Sequence, residues 1–199
     1  MAGSGAEPGP VEAFDRRIDE WFDEHLRGRP HVDRLFYSAS ALGDHGIIWL
    51  MLAAARGLRP GEHWQETRRV AVAVGLESAA VNGPVKWLFR RARPEPAGSR
   101  PLPLRTPRTS SFPSGHATSA FCAAALFSDA DPSLAPLYYG LALIVAWSRV
   151  HVRIHHASDV VGGMVIGAAF GCLVRHVAPI GGQAKPAAAE SRRRRRRCS

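Results

Sequence analysis

The stretch LAPLYYGLALIVAWS, from Leu134 to Ser148, contains no charged residue, and a second uncharged stretch, VVGGMVIGAAFGCLV, follows at Val160–Val174. The second stretch is rich in glycine, alanine and valine, and small residues let membrane helices approach one another closely. Neither stretch reaches about 20 consecutive apolar residues, the length that spans a bilayer, and the mean hydropathy of the chain is only −0.11. Hydropathy alone therefore leaves two architectures open, a helical bundle in a membrane and the buried helical bundle of a soluble protein.

Charged residues mark the edges of five apolar segments, which run roughly through 37–56, 70–89, 114–129, 133–149 and 158–178. The first segment contains Asp44 and His45, and the second contains Glu77 and Asn82. Apolar runs of this length, with polar residues at their ends, are typical of helices that pack on one another or cross a bilayer. We predict an all-α bundle of about five helices.

The two ends of the chain differ from this middle part. Residues 11–27 place apolar side chains three and four positions apart, which predicts an amphipathic helix packed on the bundle or lying at a membrane surface. Residues 1–10 lack the apolar run of a cleavable signal peptide. We expect an N-terminal segment at 1–34, a main domain at 35–179 and a disordered, arginine-rich tail at 180–199.

Composition excludes several classes of protein. The chain has 199 residues, enough for one domain, and its hydrophobic content of 46% is too high for a disordered protein. Its three cysteines form no CxxC pair and are too few for a disulfide framework. Much of the net charge of +9 comes from six arginines at Arg192–Arg197. We expect this block to meet an anionic membrane surface and not a nucleic acid, because no aromatic residue or nucleic-acid motif accompanies it.

Two polar clusters lie beside the second and third segments. The first, KWLFRRARP at 86–94, puts cations where a helix gives way to a stiff, extended chain. The second, PSGH at 113–116, precedes an apolar helix, whose N-terminal N–H groups and dipole favour an anion. Ser114 is suited to capping the helix or binding an oxyanion, Gly115 lets a ligand approach the backbone, and His116 adds a titratable group.

A third cluster, SRVHVRIHHASD at 148–159, follows the fourth segment. On a helix, His155 and Asp159 lie four residues apart on one face. A carboxylate at one ring nitrogen fixes the imidazole tautomer and leaves the other nitrogen as a nucleophile or base. A zinc site is the alternative, because His151, His155 and Asp159 follow one another at intervals of four residues.

The three clusters meet at one end of the bundle if the apolar segments alternate in direction. The second segment ends at Lys86, the third begins at His116, the fourth ends at Arg149 and the fifth begins at Asp159. Three fixed cations and backbone donors suit a phosphoryl group, whose oxygens carry the charge during transfer. We therefore expect a phosphate site without a metal, because Lys86, Arg93 and Arg149 would repel one.

Taken in order, the clusters resemble the three-part signature of the superfamily that joins type-2 phosphatidic acid phosphatases with vanadium haloperoxidases. The matching patterns are Lys-x6-Arg-Pro, Pro-Ser-Gly-His and Ser-Arg-x5-His-x3-Asp, spread over residues 86–159. The resemblance implies a helical bundle and a metal-independent phosphatase without a cofactor, and in the lipid phosphatase branch a membrane protein. The expected fold is then a transmembrane bundle of about five helices, preceded by the N-terminal amphipathic helix.

The same resemblance implies a role for each matching residue. His155 attacks phosphorus and forms a phosphohistidine, and Asp159 orients it. His116 protonates the leaving oxygen and then activates water. The phosphate oxygens are held by five residues, which are Lys86, Arg93, Ser114, Gly115 and Arg149.

Two further features accompany the signature. His151, Arg153 and His156 occupy positions that it leaves free, and we expect them to meet a second phosphate or a sugar. The interval between Lys86 and Ser111 is short and rich in proline. We expect it to form a stiff, extended loop over the mouth of the pocket and not a separate lid domain.

The distribution of arginine predicts an orientation in the membrane. Several arginines lie on the face opposite the site, and the positive-inside rule places that face in the cytoplasm; they are Arg56, Arg59, Arg68, Arg69, Arg175 and the tail block at 192–197. We expect a multi-pass protein of the cell membrane with its site outside the cytoplasm. The glycine-rich fifth segment offers a surface for a second copy of the chain, so a homo-oligomer is left open.

The leading hypothesis is an enzyme that hydrolyses a lipid-linked phosphate at the membrane surface. The chain resembles small bacterial members of the family, which include enzymes that act on polyprenyl carriers. An arginine- and alanine-rich composition, typical of high-GC bacteria, favours decaprenylphosphoryl-5-phosphoribose of cell-wall arabinan synthesis. Undecaprenyl diphosphate, phosphatidic acid and phosphatidylglycerophosphate are alternative substrates. Two other functions remain, a non-catalytic protein that binds anionic lipid and an oxidase that holds vanadate in the same pocket.

Overall fold

The computed structural model describes residues 8–58, 63–95, 104, 107 and 109–179. In this part of the chain there are seven α-helices of eleven or more residues, one α-helix of four residues, and no strand. The prediction of an all-α fold is confirmed. The helices are α1 (Pro10–His25), α2 (Pro30–Leu42), α3 (Ile47–Gly57), α4 (His63–Ala80), α5 (Lys86–Phe89), α6 (Gly115–Ala130), α7 (Ala135–His151) and α8 (Ala157–Val177).

The predicted N-terminal amphipathic helix is α1. Pro10 stands in its first turn, where no helical N–H bond is lost, and the Glu12 carboxylate accepts a hydrogen bond from the Gly9 N–H at 3.1 Å. The helix buries Phe22 against the bundle. Just beyond its end, the Arg27 side chain donates hydrogen bonds to the carbonyl oxygens of Val150, at 2.7 Å, and His151, at 2.9 Å. The guanidinium thus satisfies carbonyls at the C-terminus of α7, which have no partner within that helix.

The expected number of about five helices is wrong, because the first two apolar segments each contain a break. Between α2 and α3, His45 (φ 55°) and Gly46 (φ 69°) adopt left-handed backbone conformations that an α-helix does not permit. After α4, a π-helical turn at Val81–Val85 contains Pro84, which has no N–H to donate, and α5 follows. The other three segments each form one helix, α6, α7 and α8.

Two helical stretches in the described part of the chain have the length and hydropathy to cross a membrane, Pro132–His151 and Ala157–Val177. Both match the most apolar stretches of the sequence. The predicted domain divisions and the oligomeric state stay predictions. The predicted tail at 180–199 and most of the proline-rich loop, 96–103, lie outside the described residues.

The centre of the bundle is the contact between α6 and α8. Gly163, Gly167 and Gly171 of α8 face α6 so closely that side chains would not fit. A Cβ atom on Gly167 would lie 2.1 Å from the carbonyl oxygen of Thr118, well inside van der Waals contact. The close approach of the two backbones also fixes their site-side ends, where the Ser114 N–H donates to the Asp159 carbonyl oxygen at 3.1 Å.

Candidate active site

The ends of α5, α6, α7 and α8 bring the three predicted clusters together. The Arg93 Nη1 atom lies 2.9 Å from the Ile154 carbonyl oxygen and 3.1 Å from the His155 Nε2 atom, which joins the first cluster to the third. The second and third clusters meet where Ser114 contacts Asp159. The charges of Arg93 and Arg149 both act on the His155 ring. The predicted convergence of the clusters is therefore present in the structure.

His155 occupies the short connection between α7 and α8, and its side chain is buried. Its Nδ1 atom lies 3.5 Å from the Ser111 Oγ atom and 3.7 Å from the Asp159 Oδ2 atom, while its Nε2 atom faces Arg93. A guanidinium only donates hydrogen bonds, so Nε2 is the acceptor and Nδ1 carries the proton in the neutral ring. Burial lowers the pKa of His155 well below its ordinary value near 6.5, which keeps the ring neutral at pH 7.

Asp159, in the first turn of α8, is wholly buried, and each of its carboxylate oxygens has partners. Oδ2 accepts hydrogen bonds from the Ser111 hydroxyl and from the His156 N–H, the latter at 2.9 Å. Oδ1 accepts a hydrogen bond from Arg91 Nη1 at 2.6 Å. At 3.7 Å from His155 Nδ1, the carboxylate is beyond ordinary hydrogen-bond distance. It therefore acts on the ring as a nearby fixed negative charge, with the Ser111 hydroxyl between the two groups.

His116, in the first turn of α6, contacts the turn between α2 and α3. Its Nε2 atom lies 3.1 Å from the Ser40 carbonyl oxygen and 3.1 Å from the Asp44 Oδ1 atom, so Nε2 carries the donated proton. The hydrogen bond from His116 holds the pKa of Asp44 below its usual value, and Asp44 is ionised at neutral pH. The Gly43 Cα atom also packs on the ring, and a Cβ there would lie 2.7 Å from His116 Cδ2.

The three predicted phosphate-binding cations, Lys86, Arg93 and Arg149, interact electrostatically in this region, and Lys86 and Arg149 are buried. Arg93 is anchored by carbonyl oxygens, with Nε 3.1 Å from that of Thr109 and Nη2 3.1 Å from that of Ser110. Arg149 donates through Nη1 to the Ser40 hydroxyl. Like charges brought together at low exposure repel one another, so an entering anion is stabilised by all three.

Ser114 and Gly115 complete this surface at the N-terminus of α6. Ser114 is the residue that precedes the helix, and its buried Oγ atom has no hydrogen-bond partner among the described residues. The first N–H groups of a helix also lack partners within it. A Cβ atom on Gly115 would lie 3.1 Å from the Asn82 Oδ1 atom, a tight contact that the glycine avoids. Hydroxyl, backbone donors and helix dipole together form a site for an oxyanion.

The residues that orient these side chains are not among the predicted site residues. Asp15 contacts Arg91, and the other four contact a catalytic candidate directly; the signature specifies none of the five, which are Asp15, Ser40, Asp44, Arg91 and Ser111. Asp44 gave one signal, a carboxylate inside an apolar segment. Asp15 gave none, because an acidic residue on the polar side of an amphipathic helix is ordinary.

Two of the three residues expected to meet a second phosphate or a sugar are paired with acidic residues in the structure, and their predicted role stays a prediction. Arg153 forms ion pairs with Asp19 and Asp23 of α1, and the His151 Nε2 atom lies 2.8 Å from Asp33 of α2. His156, the third, borders a cavity of about 330 Å³ that His155 also lines, and its role stays a prediction.

The zinc alternative finds no support in this geometry. Within the described ranges, no group of three His, Cys, Asp or Glu side chains is placed to hold a metal ion. His151 contacts Asp33, on the α2 side, and the free ring nitrogen of His155 faces the Arg93 cation.

Comparison with known proteins agrees with the motif interpretation. Residues 67–180, more than half of the chain, match the model of the PAP2 superfamily. The chain is 36% identical over 153 residues to a decaprenylphosphoryl-5-phosphoribose phosphatase of Mycobacterium tuberculosis, covering 76% of this chain and 84% of the relative. It is 37% identical over 150 residues to the protein of the same name from Mycolicibacterium smegmatis, covering 69% of this chain and 74% of the relative.

A solved structure shows the same fold. The crystal structure described as the first transmembrane PAP2 type phosphatidylglycerolphosphate phosphatase, from Bacillus subtilis, superposes with a TM-score of 0.65 over 86% of this chain and 87% of that chain. At 22% sequence identity, the likeness concerns the fold of a membrane protein. With the family model, the curated relatives and the three motifs in agreement, the chain belongs to the PAP2 superfamily, and the enzyme class predicted from its motifs, a phosphatase, is confirmed.

Proposed function

We propose that this protein hydrolyses the phosphate monoester of a polyprenyl-linked lipid, with decaprenylphosphoryl-5-phosphoribose as its leading substrate, through a phosphohistidine formed on His155. The observation that carries the proposal is the environment of His155. Its ring is buried and neutral, its proton is on Nδ1, and its Nε2 lone pair faces the predicted phosphate-binding residue Arg93. A nucleophile of this kind needs no further deprotonation before it attacks.

In the first step, the phosphate replaces the ring as the partner of Arg93. The guanidinium then binds a phosphate oxygen, and the Nε2 lone pair attacks phosphorus. Lys86, Arg149 and the N-terminus of α6 stabilise the charge on the equatorial oxygens. The ester bond breaks, and His116, which takes up a second proton when the phosphate dianion enters, gives its Nδ1 proton to the leaving oxygen while its Nε2–H stays bonded to Asp44 and the Ser40 carbonyl. The phosphoryl group stays on His155 Nε2.

In the second step, His116 accepts a proton from water, and the resulting nucleophile attacks the phosphohistidine. The N–P bond breaks, inorganic phosphate leaves, and the His155 lone pair is restored. The negative charge of Asp159 stabilises the ring while it carries positive charge in the phosphorylated state. Asp44 and the Ser40 carbonyl hold the His116 ring in one orientation through both proton transfers.

A lipid substrate is supported by the surface beside the site. Trp87, Leu88 and Phe89 directly follow Lys86, and more than half of each side chain is exposed. Large apolar groups next to a phosphate-binding lysine suit a site that opens at the surface of a bilayer. The names of the mycobacterial relatives support decaprenylphosphoryl-5-phosphoribose in particular. The Bacillus structure makes phosphatidylglycerophosphate the second candidate.

We further propose a multi-pass arrangement with the site on the extracytoplasmic side and the arginine-rich tail in the cytoplasm. Arg56, Arg69 and Arg175 lie at the end of the bundle remote from His155. They pair there with acidic residues, which contribute little to the positive-inside rule. Labelling of single cysteines with a membrane-impermeant maleimide in intact cells tests this orientation. A cysteine at the exposed Trp87 should be labelled in intact cells, and a cysteine at the exposed Leu134 should be labelled only after the cells are permeabilised.

The proposed activity is tested by phosphate release from purified protein in detergent. The substrates are decaprenylphosphoryl-5-phosphoribose, undecaprenyl diphosphate, phosphatidic acid and phosphatidylglycerophosphate, each with and without EDTA. We expect release that resists EDTA, is fastest with the first substrate, and disappears in His155→Ala. Exposed Glu20→Gln is the matched control and should leave the rate unchanged.

Other outcomes would assign a different function. Release that EDTA abolishes would require a metal-dependent mechanism. Binding of these lipids without release, in a folded protein, would favour the non-catalytic lipid-binding function. Halide oxidation by peroxide in the presence of vanadate would favour the oxidase. Faster release from phosphatidylglycerophosphate would keep the mechanism and replace the substrate.

A further inference from the structure

The amphipathic helix α1 lies outside residues 67–180, the range that matches the family, yet one of its carboxylates is buried at the start of α8. Asp15 Oδ1 accepts a hydrogen bond from the Ser158 N–H at 2.7 Å. Asp15 Oδ2 accepts two more, from the Ser158 hydroxyl at 2.8 Å and from Arg91 Nη2 at 2.6 Å. A carboxylate at the N-terminus of a helix satisfies its free N–H groups and interacts favourably with its dipole.

Arg91 links this carboxylate to the catalytic candidate Asp159. Its Nη2 atom contacts Asp15, and its Nη1 atom donates to Asp159 Oδ1 at 2.6 Å and to the Ser158 hydroxyl at 2.7 Å. The backbone of Arg91 is also held, because its N–H donates to the Ser110 hydroxyl and its carbonyl oxygen accepts from the Ser111 N–H, both at 2.9 Å. One planar guanidinium therefore joins two buried carboxylates at a fixed spacing.

The link matters because it determines which way the Asp159 carboxylate faces. Arg91 holds Oδ1, while the Ser111 hydroxyl and the His156 N–H hold Oδ2, the oxygen that faces His155 Nδ1. If Arg91 were lost, the carboxylate could rotate, and the charge that orients the His155 ring would shift. Arg91 lies between the lysine and the arginine of the first motif, at a position where the signature specifies no residue.

We infer that Asp15 and Arg91 are positioning residues, through which α1 holds Asp159 in the orientation that His155 requires for attack. The inference rests on the proposed function, since it concerns how the same nucleophile is oriented. It assigns to the N-terminal helix a part in the chemistry of a site whose motifs all lie far along the chain.

A second set of ion pairs on α1 provides a matched control. Asp23, two turns after Asp15, binds Arg27 at 3.0 Å and also pairs with Arg153. These pairs hold α1 on the bundle, as the Asp15 pair does, but they do not reach Asp159. Asp23→Asn should therefore change stability without changing the chemical step.

The experiment measures kcat, KM and melting temperature for the full chain in detergent, with the best lipid phosphate as substrate. Arg91→Gln should lower kcat about 100-fold, the cost of a misplaced catalytic group, and should change KM less than about threefold, because the phosphate-binding cations remain. Asp15→Asn should lower kcat about tenfold, since Arg91 keeps one of its two carboxylates. Arg91→Lys should have a higher kcat than Arg91→Gln, because its ammonium group can bind Asp159, although it cannot bind Asp15 at the same time.

Asp23→Asn should keep kcat within about twofold of the wild type, even if its melting temperature falls as much as that of Asp15→Asn. Wild-type kcat in both Asp15→Asn and Arg91→Gln would overturn the inference while leaving the proposed function intact. So would an equal loss of kcat in Asp23→Asn, or losses confined to KM. If Arg91→Gln does not fold, the kcat values of the near-isosteric Asp15→Asn and of Arg91→Lys test the inference in its place. An inactive wild type would instead count against the proposed function itself.

Discussion

The helices α6 to α8 and the helices α1 to α5 form two parts of the molecule that are built differently. In the first part, small residues bring backbones into contact, as Gly167 of α8 does with Thr118 of α6. In the second part, the helices are interrupted, at His45 and Gly46 and again at Pro84, and many of the contacts with the rest of the molecule are ion pairs.

The difference separates two tasks within one site. The tightly packed part carries His116, Arg149, His155 and Asp159, so its close packing fixes where the reacting groups are. The interrupted part supplies the partners that fix how those groups are oriented, through Ser40, Asp44 and Asp15. The Ser40 carbonyl is in the last turn of α2 and Asp44 lies in the break that follows, whereas Asp15 extends from the uninterrupted helix α1. Variants in the first part should therefore affect folding most, and variants in the second part should affect turnover.

Gly167→Ala is expected to have the largest effect on stability. Its new Cβ atom would lie 2.1 Å from the Thr118 carbonyl oxygen, so α8 must move away from α6. We expect a loss of about 3 kcal/mol in the free energy of unfolding, together with most activity. Gly75→Ala on α4 is the control, because among the described residues no atom beyond its own helical turn lies within 4 Å of the new Cβ, and it should be neutral or slightly stabilising. Melting temperatures in detergent measure the stability of both variants. An equal loss of stability in the two would contradict the proposed difference between the two parts of the molecule.

Gly43→Ala should act mainly on turnover. The new Cβ atom would lie 2.7 Å from His116 Cδ2 and 2.9 Å from a methyl carbon of Val145. We expect the His116 ring to tilt away from Asp44 and kcat to fall about thirtyfold, because a small displacement of a catalytic group is costly. Steady-state kinetics with the lipid phosphate check this. A normal kcat would show that His116 tolerates the change or is not the proton donor.

The dependence of stability on pH should reveal the buried, neutral state of His155. Burial lowers the pKa of His155 in the folded protein to about 3, against 6.5 for the ordinary group. Below about pH 6.5 the unfolded chain therefore binds a proton that the folded chain does not, and stability falls as the pH decreases. Between pH 7 and pH 5, His155 alone should lower the free energy of unfolding by about 2 kcal/mol. Denaturation experiments at pH 7 and pH 5 should show a smaller change in the free energy of unfolding for His155→Gln than for the wild type.

Of these four predicted effects, that of Ser40→Ala should be the smallest. It removes the hydroxyl that accepts a hydrogen bond from Arg149 but keeps the carbonyl oxygen that contacts His116. A hydrogen bond to a charged group contributes about 1.5 to 3 kcal/mol, and part of that is recovered when Arg149 binds the phosphate. We expect KM to rise about tenfold with little change in kcat. A fall in kcat alone would place Ser40 with the proton-transfer groups and not with the phosphate-binding ones.

The fold is predictable from the sequence where it depends on local pattern. The helices α6, α7 and α8 begin and end within about two residues of the predicted apolar segments, because uncharged runs bounded by polar residues leave little choice. The first two segments were predicted as single helices. Their hydropathy does not report a left-handed turn at His45 and Gly46, whereas Pro84 is itself a sequence signal for the second break.

The site likewise combines residues that local sequence pattern predicts with residues that only tertiary packing brings together. The motif residues were predicted because their spacing is itself the signal. The Arg153 and His151 side chains contact Asp23 and Asp33 on α1 and α2, and no motif indicates these partners. The role of Asp15 is also not visible in the sequence, because its contact with Arg91 joins residues 76 positions apart. Pairings of this kind arise only once tertiary packing is complete.

The most direct test of the central claim is to look for the phosphoryl group on His155. The enzyme is mixed rapidly with a substrate whose hydrolysable phosphate carries ³²P, quenched in alkali, and mapped by peptide mass spectrometry. We expect a label on His155 that survives alkali, is lost in acid because the N–P bond is acid-labile, and is absent from His155→Ala. Turnover without any label on His155, or an acid-stable label on another residue, would contradict it.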